Sequence, residues 1–107
     1  LTPEEIRALQ ADCDAVHVSD SLLDYVQTLL GETRDERWFE SGLSPRAGLA
    51  LLAASRAHAF LAGRDHVIPE DVKNVFPALA RHRLSSSGYS QDVGNQVREL
   101  LEQVPIP

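Results

Sequence analysis

Apolar residues recur at helical spacing in five blocks of the chain, separated by polar or glycine-bearing stretches. The first block carries Ile6, Leu9, Cys13 and Val16, roughly one face of a helix. Thr2-Pro3-Glu4-Glu5 supplies its start, with Thr2 as cap, Pro3 at the first position and Glu5 closing a capping box. Ser19 caps a second helix, with Asp20 in its favourable first turn and Leu22, Leu23, Val26, Leu29 and Leu30 inward; Gly31 is expected to end it. A third helix is predicted from about Pro45 to Ala62, apolar on nearly every side apart from Arg56 and His58, with Gly63 as its stop. Such a helix is central, touched from several directions. Its small residues, Ala47, Gly48, Ala50, Ala53, Ala54 and Ala57, would let neighbours approach closely.

Pro69, Glu70 and Asp71 open a fourth helix, whose core face is Val72, Val75, Phe76 and Leu79. A last one, over about Gln91 to Gln103, turns Val93, Val97, Leu100, Leu101 and Val104 inward. The β-branched runs VHV (16–18) and HVI (66–68) each lead into a helix, and are short enough to pair as a minor β-bridge. Residues 32–43 read as a polar connection holding the apolar island Trp38-Phe39, residues 85–88 as a serine-rich loop, and the closing VPIP as extended chain. The predicted fold is all-α: about five helices in a small bundle, with one short β-bridge between residues 16–18 and 66–68.

Composition narrows the class. The 107 residues fit a single domain over 1–107, and 43% hydrophobic with 24% charged content is ordinary for a globular protein. No apolar run approaches the ~20 residues of a membrane span, and no signal peptide is visible. The single Cys13 excludes an internal disulfide and fits a reducing, cytoplasmic setting. A net charge of −6 argues against general binding to nucleic-acid phosphates, and Arg81-His82-Arg83 reads as a solvated helix end. The chain holds no methionine and begins Leu-Thr-Pro, which suggests an excised fragment of a longer protein.

Catalytic constellations are mostly absent: the sequence contains no GxxxxGK[ST], GxGxxG, HExxH or CxxC pattern. His17, His58, His66 and His82 lack the close spacing of metal ligands, so no metal site is expected. His58 reads as a satisfied core or boundary histidine, His17 and His66 as packing or hydrogen-bonding residues, and Cys13 as a small core residue. No carboxylate pair stands out as general acid and base, so no catalytic residue and no activity are expected of this chain alone. Two features resist a purely structural account. Arg46 stands in the first turn of the third helix, behind Ser44 as cap and Pro45 at the first position. A cation there costs ~0.3–1 kcal/mol against the helix dipole. It is either a surface arginine paired with an acid such as Glu40, or a guanidinium that meets an incoming phosphate together with the helix N-terminus. Trp38-Phe39 either folds back as a lid on the core or contacts a neighbouring domain or subunit.

The run GLSPRAGLALLAASRAHAFLAGRDHVIPEDVKNVFPALARHRL resembles the C-terminal lid domain of MoxR-type AAA+ ATPases. The upstream VHVSDSLLDYVQTLLGETR and the closing VRELLEQVPIP fit the same lid, so the resemblance covers nearly the whole chain. It implies a preceding α/β domain with Walker A and B motifs, ATP and Mg²⁺ in the parent protein, and a ring of subunits, usually a hexamer, acting in a chaperone-like way. It also implies a von Willebrand A-type partner protein. The arginine of SPRA, here Arg46, would be the sensor-2 residue that reaches the ATP phosphates from the lid side. The chain departs from the family at Ile68, where a capping Thr is common, a loss worth ~1 kcal/mol unless another group caps the helix. It departs also at Gly48, where a larger small residue is common, and in the short serine-rich segment after RHRL. The rival reading is a stand-alone helical interaction module anchored by Trp38 and Phe39.

Overall fold

Local chemistry fixes the helix starts. At α1 (Pro3–Asp14) the Thr2 hydroxyl accepts from the Glu5 N–H and the Glu5 carboxylate accepts from the Thr2 N–H, both at 3.1 Å, the reciprocal box expected there. At α2 (Asp20–Thr33) the Ser19 hydroxyl accepts from the Leu22 N–H at 3.2 Å. Three further helices follow: α3 (Pro45–Leu61), α4 (Pro69–Arg83) and α5 (Val93–Gln103). The computed structural model describes residues 1–34, 39–41, 43–83, 85–86 and 93–107, with the backbone alone at 39–41, 82–83, 85–86 and 93–94. Among the described residues the fold is thus all-α with five helices, as the periodicity predicts.

Helix α3 is the central element, packed by α1, α2 and α4, while α5 closes the bundle against α2 and α4. The core gathers Leu22, Tyr25, Val26 and Leu29 of α2, Leu51 and Ala59 of α3, Val72, Phe76 and Ala80 of α4, and Val97 and Leu100 of α5. Helix α3 ends in a Schellman turn. Gly63, at φ +80°, donates its N–H to Phe60 C=O, and Arg64 donates to Ala59 C=O, each at 3.0 Å. The predicted bridge is present: His17 and His66 pair in parallel, His17 N–H donating to Asp65 C=O at 2.8 Å and Val67 N–H to His17 C=O at 2.9 Å. It ties the α1–α2 link to the α3–α4 link.

Several expectations need correction. Gly31 does not end α2, which runs on to Thr33 because the Thr33 hydroxyl donates to Leu30 C=O at 2.6 Å inside the core. The apolar stripe of α1 is not a core face: the helix buries no residue, Ile6 and Leu9 remain 44% and 43% exposed, and Cys13 is only half-buried. Leu23 is likewise half-buried. Two stretches taken as connections form a short antiparallel ribbon, β1 (Phe39–Ser41) with β2 (Ser85–Ser86), Phe39 opposite Ser86. Pro77 lies inside α4 and withholds the N–H that Lys73 C=O would receive, yet the helix continues past it to Arg83. The first described residue of α5 is Val93; Gln91 lies outside the described residues.

Candidate functional site

The start of α3 is built in steps from the end of α2. Thr33, fully buried, accepts at its hydroxyl from the Leu43 N–H at 3.0 Å. Leu43 is itself buried, and places Ser44 as cap with extended backbone (φ −75°, ψ 162°). The Ser44 hydroxyl accepts from the Ala47 N–H, and its carbonyl from the Gly48 N–H, each at 3.2 Å. Pro45 takes the first helical position with its preset φ, and Arg46 follows, exposed, with no acid in the first turn. Among the described side chains none forms an ion pair with Arg46, and the Glu40 side chain lies outside them.

This geometry refines the anion reading. Pro45 has no N–H and the Ala47 and Gly48 N–H groups are already used, so the helix start retains at most the Arg46 N–H as a backbone donor. A phosphate arriving here would meet chiefly the guanidinium, with the helix dipole in a supporting role. Beside the helix start a cleft of about 430 Å³ runs between α2 and α3, walled by Leu23, Leu30, Arg34, Pro45, Gly48 and Leu49. The helices approach closely there: a Cβ on Gly48 would stand 2.6 Å from Leu30 Cδ1, so a larger residue at 48 requires the Leu30 side chain to shift. Trp38 lies outside the described residues, and only the backbone of Phe39 is described.

A second polar centre escaped the sequence reading. Asp71, taken there only as a first-turn acid, is fully buried. Its carboxylate accepts from the Ile68 N–H at 2.8 Å, lies 2.6 Å from His58 Nδ1 and pairs with the Arg64 guanidinium. Burial pushes its pKa up, but the Ile68, His58 and Arg64 contacts outweigh that and hold the carboxyl below its ordinary value. From the third helical position Asp71 thus supplies the reciprocal half of a capping box, accepting the Ile68 N–H, while its own N–H, which a Thr at 68 would cap, goes to Ile68 C=O at 3.0 Å. The available signal was an acid three residues beyond an uncapped helix start. His58 accordingly is a boundary histidine, 38% exposed and satisfied. His66 hydrogen-bonds Asp65 at 3.0 Å, a contact that lowers the pKa of the exposed Asp65. Among the described residues no group of three His, Cys, Asp or Glu side chains could hold a metal ion, and no helix is long and apolar enough to cross a membrane.

The described residues thus place an exposed arginine on the Ser-Pro-capped start of the central helix of a small bundle. Comparison with known proteins shows the family to which such a bundle belongs here. A family model described as the AAA lid domain matches residues 31–104. Chaperone MoxR1 of Mycobacterium tuberculosis is 42% identical over 103 residues, covering 84% of this chain and 27% of that protein. The uncharacterised protein YeaC of Bacillus subtilis is 32% identical over 111 residues, covering all of this chain and 35% of its own length. A crystal structure of a candidate ATPase from Cytophaga hutchinsonii superposes with a TM-score of 0.84 at 28% identity, over 96% of this chain and 34% of that one. The chain belongs to the AAA lid domain family, and its relatives bear out the MoxR-type resemblance carried by SPRA and GRDHVIPEDV. It spans about a third of the length of these relatives.

Proposed function

We propose that this domain is the nucleotide-sensing lid of a MoxR-type ATPase, with Arg46 as the residue that contacts the ATP phosphates. The observation that carries the reading is the exposed guanidinium on a helix start fixed by Ser44, Pro45 and the buried Leu43. The parent protein binds ATP with Mg²⁺ in a preceding domain and works as a chaperone-like ring in the cytoplasm, its lid in contact with that domain and with neighbouring subunits. A von Willebrand A-type protein is a partner of such a ring. Within the lid, Arg46 supplies positive charge where negative charge develops during phosphoryl transfer. Because α3 is packed by three other helices, a pull on Arg46 turns the lid as one body, which links nucleotide state to lid angle. The cleft between α2 and α3 offers an apolar wall on the same edge.

The test is ATP hydrolysis by the full-length protein. Arg46→Ala lowers kcat by about tenfold or more, while the lid stays folded with an unfolding midpoint no lower than before, because the side chain is exposed and its charge opposes the helix dipole. Unchanged turnover in a folded Arg46→Ala protein overturns the assignment.

A further inference from the structure

We infer that Thr33 is a positioning residue for Arg46, its buried hydroxyl setting where the first turn of α3 stands against the end of α2. The inference rests on the reading of Arg46 given above. Thr33 is fully buried, and its hydroxyl has two distinct jobs. It donates to Leu30 C=O at 2.6 Å, which directs its lone pairs towards the Leu43 N–H at 3.0 Å. Leu43 immediately precedes the cap, so a relay runs from Leu30 through Thr33 and Leu43 to Ser44, and from Ser44 to the Ala47 N–H. Leu30 enters the same junction a second time, since its Cδ1 fills the space a Gly48 Cβ would need. Leu30 therefore meets the junction twice, indirectly through the Thr33 hydroxyl that its carbonyl receives and directly through its side chain beside Gly48.

Arg46 sits two residues after the cap, on a long side chain whose reach depends on where its Cα stands. Valine at position 33 keeps the branched shape but can neither donate nor accept, and leaves the buried Leu43 N–H without its partner. The cap then loses its tether to α2. Small misplacements of a group acting on a transferring phosphoryl cost rate rather than binding.

The experiment is a mutant cycle in the full-length ATPase at saturating ATP. Thr33→Val is expected to lower kcat about three- to tenfold and Thr33→Ser to hold it within about twofold, because serine keeps the hydroxyl. In an Arg46→Ala background, Thr33→Val is expected to have no further effect, which a merely structural role would not produce. An equal effect in both backgrounds, or no effect in either, overturns the inference. Should Thr33→Val fail to fold, Gly48→Ala disturbs the same junction through Leu30 and must show the same dependence on background; an equal effect in both again overturns it. If Arg46→Ala itself leaves kcat unchanged, the nucleotide reading falls and this inference with it. If Arg46→Ala lowers kcat while Thr33→Val does not, only the role of Thr33 falls.

Discussion

Asp71 shows how one side chain can take on work the sequence had left vacant. Ile68 has no hydroxyl to receive a first-turn N–H of α4, but the buried carboxylate fixes the helix start from the other side, accepting the Ile68 N–H while also gathering His58 and Arg64. Asp71→Ala removes all three contacts and is expected to cost about 2–3 kcal/mol in urea unfolding of this domain, with Asp71→Asn milder because the amide oxygen still accepts. The pH dependence follows in sign. The folded carboxyl has a pKa below its ordinary 3.8, so its contribution is complete above that value and is lost as pH falls through the lowered one. Asp71→Asn should therefore flatten the acid side of the stability profile, and an unaltered slope would contradict this. The acidic first turn of α4 was legible in the sequence; the burial was not. His58 and Arg64 reach Asp71 only because the chain reverses at Gly63, and no periodicity records which side chains meet across a turn. Thr33 was hidden for the same reason, its link to Leu43 being one hydroxyl across a connecting segment.

At the level of elements, α1 separates amphipathicity from burial. Its apolar residues fall at helical intervals, yet none is buried, because periodicity reports which face is apolar and not what covers it. Ile6→Ser should thus change stability by less than about 1 kcal/mol, whereas Leu51→Ala, in the fully buried centre of α3, should cost about 2–5 kcal/mol. Comparable losses from the two would show that α1 packs more tightly than its exposure implies. The helix ends divide similarly. Among the described glycines only Gly63 has positive φ and stops its helix, while Gly31 stays within α2, which runs two residues further to Thr33, whose hydroxyl donates to Leu30 C=O. Glycine alone marked both positions in the sequence; the hydrogen bonds beyond it decided between them. The ribbon of β1 and β2 was missed because strands of three and two residues are too short to carry an alternation.

For the whole molecule, the family and the all-α fold were open to view because SPRA and GRDHVIPEDV stand on the two helices that organise the bundle, and α3 is indeed the helix the others pack around. The parallel bridge between His17 and His66 carries a consequence for how the chain reaches this state. Contacts joining α3 to α4 close short loops, through Gly63 with Phe60, Arg64 with Ala59, and Asp71 with Ile68 and His58. The bridge instead closes a loop holding all of α2 and α3. Chain entropy opposes distant closure until nearby contacts have formed, so the α3–α4 corner is the nucleus of folding and α1, which buries nothing, docks last. Stopped-flow refolding should find Gly63→Ala slowing folding by most of its equilibrium loss, and Thr2→Ala sparing the folding rate while hastening unfolding. Equal slowing by both would place α1 inside the nucleus.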